Sequence, residues 1–272
     1  MKWTFAALAA GALLAGGGVA SAAERLTVTG SSTVAPVIAE IAKRSEKLHP
    51  EVRIDVQTGG SSRGINDARQ GLADIGMASR ALKPEESDVT AITLAYDGVA
   101  IIVHAENPIA ELTAAQIADI YTGKTTTWSA LGGPDMKIDV TSRAEGRSEL
   151  ELFLEHFKLK SDQIKADAIT GETEHAIKAV AGDPNAIGYG SIGAAEYSVG
   201  QGVPIKLLPL DGIPASRETV AGRTFPIVRP LNLVLTKEPT GLVKDFIAFA
   251  TSEDVRDIIE SFYYVLPAKP GT

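Results

Sequence analysis

The chain has 272 residues, with 26 Lys+Arg against 34 Asp+Glu for a formal net charge of −8, 44% apolar residues and no cysteine. That apolar content suffices for one large or two medium domains, while the acidic balance argues against nucleic acid as a partner, because backbone binding needs clustered Lys/Arg. The absent cysteine excludes disulfides, thiolate metal sites, iron–sulfur clusters and cysteine nucleophiles together. Any anion site in such a chain has to be local.

Lys2 precedes an apolar run from Phe5 to Leu14, followed by small residues ending Ala20-Ser21-Ala22. The pattern reads as a signal peptide over residues 1–22, cleaved after Ala22, which implies an exported, periplasmic chain with no cysteine for a lipid anchor. A strand over 25–29 leads into Gly30-Ser31-Ser32-Thr33 and a helix, with Val34, Val37, Ile38, Ile41, Ala42 and Leu48 at helical spacing and Pro36 in its first turn. A second strand, 52–57, leads through Thr58-Gly59-Gly60-Ser61-Ser62 into a helix over 63–72. Strand, glycine/hydroxyl loop and helix thus occur twice in succession, the grammar of an α/β sheet.

Further strands are expected over 73–77 and 98–103, then a helix over 114–121 capped by Thr113, and a strand over 138–141. The last leads through Ser142-Arg143-Ala144-Glu145-Gly146-Arg147-Ser148 into a helix over 149–157, a third copy of the loop-to-helix device. Strands over 186–190, 204–209 and 225–235 and helices over 240–249 and 253–262 complete the reading. Two α/β lobes follow, with the apolar strands 98–103 and 227–235 as the two crossings between them.

Three hydroxyl-rich loops, carrying Ser32 and Thr33, Ser61 and Ser62, and Arg147 and Ser148, each end at a helix start. A helix N-terminus offers free N–H groups and partial positive charge, so neutral donors there can hold an anion; the same residues are also ordinary N-caps. Arg143, between strand and helix, could fork onto an oxyanion or form a surface ion pair. Gly60-Ser61-Ser62-Arg63-Gly64 satisfies G-x-S-x-G, which leaves open a hydrolase using Ser62 with His104, His156 or His175. The four histidines have no metal-ligand spacing, so no metal or cofactor is expected.

Taken together, the segments resemble the PstS-like phosphate-binding branch of the periplasmic binding proteins of ABC transporters. The carrying segments are Thr29 to Pro36, Gln57 to Gly64, Ala73 to Arg80, Asp97 to Val103, Ser142 to Ser148, Ala186 to Gly190 and Phe225 to Pro230. The resemblance implies an α/β, two-lobed fold, each lobe a mixed sheet flanked by helices, joined by a two-strand hinge. Lobe I is expected over 23–104 plus 225–272 and lobe II over 105–224.

The resemblance also implies a non-catalytic, monomeric receptor that closes on inorganic phosphate and delivers it to a membrane permease. A PstS-like exported sensor with a remodelled anion site is the alternative. Carried over by position, Ser32 and Thr33 match the first anion loop, Ser61 and Ser62 the second, and Arg143 the arginine of the second lobe.

Ser79 stands where many members carry an aspartate that accepts the proton of phosphate, so Asp97, then Glu145, are the candidate replacement acceptors. Family members commonly show Ser-Gly-Thr where this chain has Arg147-Ser148-Glu149. Arg147 is expected to offset the charge of Glu149, and Ser32, Ser61, Ser79 and Asp97 to converge on Arg143.

Overall fold

The computed structural model describes residues 23–268, so the signal-peptide reading of residues 1–22 lies outside the described residues. The first lobe begins β1 (Glu24–Gly30), α1 (Ala35–Leu48), β2 (Val52–Thr58), α2 (Ser61–Gln70) and β3 (Ile75–Ala78). A long strand, β4 (Thr90–His104), leads to α3 (Ala114–Tyr121), β5 (Asp139–Arg143), α4 (Ser148–Phe157), β6 (Ala168–Thr170), α5 (Thr173–Ala181) and β7 (Ala186–Ser191). Then come α6 (Ile192–Gly200), β8 (Ile205–Leu207), α7 (Arg217–Ala221), β9 (Val228–Leu235), α8 (Gly241–Ala250) and α9 (Arg256–Ser261).

The strands form one curled sheet in the order β2-β1-β3-β9-β4-β7-β5-β6, with β8 paired to β4. Two parallel triplets, β2-β1-β3 and β6-β5-β7, flank the antiparallel pair β9/β4. The parallel strands are linked through helices, as parallel pairing requires. Ligands of such sheets sit beyond the carboxyl ends of the strands, and here the loops after β1, β2, β3, β5 and β6 meet between the triplets.

β4 serves both halves. Its Thr90–Gly98 part pairs with β9, and its Val99–Val103 part pairs with β7. Each lobe has its own core: Leu26, Ile38, Ile41, Met77, Leu233 and Phe246 in the first, and Tyr121, Trp128, Phe153, Ile187 and Tyr189 in the second. The fold is therefore the expected two-lobed α/β arrangement. Among the described residues no helix is long and apolar enough to cross a membrane.

The elements differ from expectation at several points. β4 begins at Thr90 rather than Gly98, so Asp97 lies inside the strand rather than just before it. α5 and α6 were not anticipated; α6 is rich in glycine and alanine and buries Ile192, Gly193 and Ala195. The expected last helix divides into a 3-10 turn, Glu253–Val255, and α9.

α2 depends on two glycines. Gly60, its N-cap, has φ +98°, and a Cβ there would lie 2.6 Å from the Gly146 carbonyl oxygen. Gly64 lets α2 lie against β1 and β3, since a Cβ would sit 2.6 Å from the Thr29 carbonyl oxygen and 2.7 Å from Gly30 Cα. That close approach sets Ser61 beside Ser79, whose backbone N–H donates to Ser61 Oγ at 3.0 Å.

Candidate functional site

Of the residues expected to bind an anion, Thr33, Ser79, Asp97 and Ser148 meet at Arg229 rather than Arg143. Arg229 is fully buried on β9, directly opposite Asp97 on β4 in the antiparallel register. Its Nε and Nη2 donate to Asp97 Oδ2 at 3.1 and 2.9 Å. Nη2 also donates to Thr33 Oγ1 at 3.1 Å and Glu149 Oε1 at 3.2 Å. Nη1 donates to Ser148 Oγ at 3.0 Å and Ser79 Oγ at 3.3 Å. Burial works against this charge, but Glu149 and Asp97 outweigh it and hold the guanidinium pKa above its ordinary value.

Hydroxyls surround the guanidinium. Ser31 donates to Ser79 Oγ at 2.8 Å, Ser79 and Ser148 lie 2.6 Å apart, and Ser61 is 3.4 Å from Ser79. Ser32 and Thr33 reach Thr173, in the first turn of α5, at 3.2 and 3.3 Å. Thus Ser32, Thr33, Ser61, Ser79 and Ser148 form one buried hydroxyl network joining the two lobes. A cavity of about 290 Å³ borders it at Ser32, Thr33 and Thr173.

Glu149 sits at the centre of the network, not at its edge. Its carboxylate is 3% exposed, with Oε1 accepting from Thr33 Oγ1 at 2.7 Å and Oε2 standing 3.8 Å from Arg143 Nη2. Burial pushes its pKa up, but Arg229 and Arg143 overcome this, with help from the Thr33 hydroxyl, and the group falls to about 2. α4 holds the carboxylate in place from behind. Phe153 stacks on Tyr189 with centroids 4.2 Å apart and meets Tyr121 at 4.5 Å, a burial worth about 2–3 kcal/mol.

Arg143 occupies the opposite wall. Its guanidinium donates to the Glu172 carbonyl at 2.6 Å, to that of Gly171 at 3.1 Å and to Thr170 Oγ1 at 3.2 Å. Burial lowers its pKa despite Glu149. The Tyr189 hydroxyl accepts the Arg143 backbone N–H at 3.2 Å and fixes the strand end that carries the side chain. Arg143 Nε and Arg147 Nη1 are buried without a hydrogen-bond partner among the described residues, a cost of about 1–3 kcal/mol each.

Several expectations need correction. Arg147 does not offset Glu149; it pairs with Glu172 at 3.1 Å, while Arg229 and Arg143 face Glu149. Glu145 is exposed and accepts from Ser161, outside the cluster. Both Asp97 oxygens are engaged, one by Arg229 and the other by the Gly193 N–H at 3.0 Å.

Ser62 donates to Glu151 Oε1 at 2.9 Å across the lobe boundary, and no histidine hydrogen-bonds it among the described residues. The G-x-S-x-G match therefore has no triad. Among the described residues no group of three or more His, Asp or Glu side chains could hold a metal ion.

Arg229 was missed although its segment, Phe225 to Pro230, carried part of the resemblance. The available signal was a charged side chain inside a mainly apolar strand, since a fully buried arginine needs acceptors on every side.

Comparison with known proteins identifies the family. Residues 17–254 match the model of the PBP superfamily domain. The chain is 28% identical over 247 residues to the phosphate-binding protein PstS of Bacillus subtilis, spanning 89% of this chain and 80% of that protein.

The structure of a putative phosphate ABC transporter substrate-binding protein with bound phosphate from Clostridium perfringens matches with a TM-score of 0.82 and 35% identity, over 90% of this chain and all of that one. An ABC-type phosphate transport receptor from Vibrio cholerae matches with a TM-score of 0.72 and 30% identity, over 89% of this chain and all of that one. By family model, sequence identity and structural similarity, the chain belongs to the PBP superfamily as a PstS-like member.

Proposed function

We propose that this protein is the exported substrate-binding component of an ABC importer, non-catalytic, and that it captures inorganic phosphate between its lobes for delivery to a membrane permease. The observation that carries the reading is the network of hydroxyls around Arg229, closed on the far side by Arg143. Neutral donors and two guanidiniums can replace the hydration shell of one small oxyanion. The unpartnered Arg143 Nε and Arg147 Nη1 supply donors that such an anion would satisfy. Homologues named for phosphate binding support the same ligand.

On this reading the lobes divide near Gly98 and Val228 rather than at the expected 104 and 225, because Val99–Val103 pair with β7 and Val99, Ile101, Phe225 and Ile227 pack in the second core; β4 and the start of β9 form the hinge. Closure would expel water and strengthen each charge-assisted bond. The buried Asp97 carboxylate disfavours a fully ionised anion, whereas protonated phosphate can donate a hydrogen bond to it.

Isothermal titration of the chain from Ala23 onward with phosphate, arsenate and sulfate tests the assignment. Phosphate and arsenate are expected to bind, and sulfate about a hundredfold more weakly, the loss of a hydrogen bond to a buried charged group. Equal affinity for phosphate and sulfate, or no binding of phosphate, overturns it.

A further inference from the structure

We propose that Glu149 is an internal anionic ligand of the interlobe site: its carboxylate ties the lobes together through the groups that receive the external anion, and phosphate enters by displacing it. The inference rests on the reading of the cluster as an oxyanion site.

The geometry is that of a bound anion. Glu149 is carried by α4 of the second lobe, while two of its partners, Thr33 and Arg229, belong to the first. Oε1 receives the Thr33 hydroxyl at 2.7 Å and Arg229 Nη2 at 3.2 Å. Oε2 receives the Ser148 hydroxyl at 3.4 Å and faces Arg143 Nη2 at 3.8 Å. Hydroxyls and two guanidiniums around a carboxylate are the donor set that an incoming oxyanion would require.

Helix capping does not explain this placement. A first-turn glutamate interacts favourably with the helix dipole while still in water, as Glu174 does on α5. Taking the carboxylate out of water costs several kcal/mol unless it is paired, so the arrangement persists because the pairing is nearly complete.

Occupancy is exclusive. The Thr33 hydroxyl has one proton, and the structure directs it to Glu149. A phosphate dianion in contact with Arg229 and Thr33 would lie within a few ångströms of the ionised carboxylate, where like charges repel strongly in a low-dielectric site. Phosphate affinity is therefore reduced by the fraction of molecules in which Glu149 holds the site. Glu151, two residues along α4, reinforces closure through Ser62 at 2.9 Å, Arg80 at 2.9 Å and Lys83 at 2.8 Å without using Arg229 or Thr33.

The rival role for Glu149 is acceptor of the phosphate proton, and it predicts the opposite result. Glu149→Gln and Glu149→Thr are compared with the wild-type chain by phosphate calorimetry and by small-angle X-ray scattering with and without phosphate. Both variants are expected to bind phosphate at least about tenfold more tightly than wild type. Without phosphate they are expected to show a larger radius of gyration than wild type, which contracts on adding it.

Unchanged or weaker phosphate affinity in both variants overturns the proposal, as does a phosphate-free variant as compact as wild type. If none of the three proteins binds phosphate, the phosphate assignment fails, and the phosphate-free scattering comparison still decides whether Glu149 closes the lobes. Circular dichroism confirms that each variant is folded, and the threonine form keeps the test available if the glutamine form is not.

Discussion

Replacing Arg229 by methionine removes a fully buried cation while keeping most of the side-chain volume. Asp97 retains only the Gly193 N–H on its other oxygen, and Glu149 loses its closest cation, keeping the Thr33 hydroxyl and Arg143 at 3.8 Å. Deleting one partner of a buried ion pair costs about 3–5 kcal/mol because a charge is left uncompensated. The hydrogen bonds remaining to both carboxylates put the expected loss near the middle of that range, about 4 kcal/mol.

For a chain of this size each kcal/mol moves the melting temperature by about 2–4 °C, so Arg229→Met should melt about 8–16 °C lower. The assay is thermal unfolding followed by circular dichroism at pH 7 without phosphate, repeated at pH 5. In the variant, burial no longer opposed by the Arg229 cation raises the folded-state pKa of Glu149. Groups raised in this way favour the folded state at low pH and lose that contribution as pH rises through the raised values, so the deficit should shrink at pH 5. A melting temperature within about 3 °C of wild type at pH 7, or the same deficit at both pH values, would refute the argument that paired charge holds this cluster together.

Two further predictions follow from the same packing. In the wild type, Glu149 is depressed from the ordinary 4.5 to about 2 by Arg229 and Arg143 acting against burial, with the Asp97 carboxylate also paired to Arg229. A depressed acid contributes stability above its unfolded pKa and loses it as pH falls through the folded one, so about 3 kcal/mol should disappear between pH 4.5 and 2. Urea titrations across that window should show the loss in wild type and a flatter profile in Glu149→Gln. Separately, Gly64→Ala should cost about 1–3 kcal/mol, because its Cβ would meet backbone atoms at 2.6 and 2.7 Å, and should weaken phosphate binding by shifting Ser61. Gly190→Ala, whose Cβ would meet nothing within 4 Å, serves as its control in melts and calorimetry.

The legible parts of this chain were local. Strand, hydroxyl loop and helix are written within short windows, and the starts of α1, α2 and α4 were read to within two residues. The pairing of β4 with β9 is not local: Asp97 and Arg229 stand opposite each other across 132 positions of sequence. Periodicity carries no register information over that distance, so Asp97 was a candidate acceptor without a visible partner and Arg229 went unassigned. Glu149 shows the converse limit. Its identity and its place in a helix start were evident, but the sequence does not reveal that Thr33 and Arg229 close over it from the other lobe. The exposed Glu145 and the buried Glu149 stand in one loop-to-helix segment, and only tertiary packing separates them.

The charges of the cluster restrict what it can hold. Arg143 and Arg229 face Asp97 and Glu149, so the buried charges cancel before any ligand arrives. A dianion added to that neutral set would leave two uncompensated negative charges out of water, a cost that hydroxyls alone do not offset. With Glu149 released to solvent, one positive charge remains in the set, and the N-terminal dipoles of α1, α2 and α4 point the same way. Phosphate then leaves at most one negative charge to be spread over hydroxyls and backbone N–H groups, and its proton can be donated to a carboxylate. Sulfate leaves the same charge but offers no proton. Release of Glu149 thus follows from the electrical neutrality of a buried site in an acidic protein, and discrimination between the two anions from the proton that phosphate alone can offer to the remaining carboxylate.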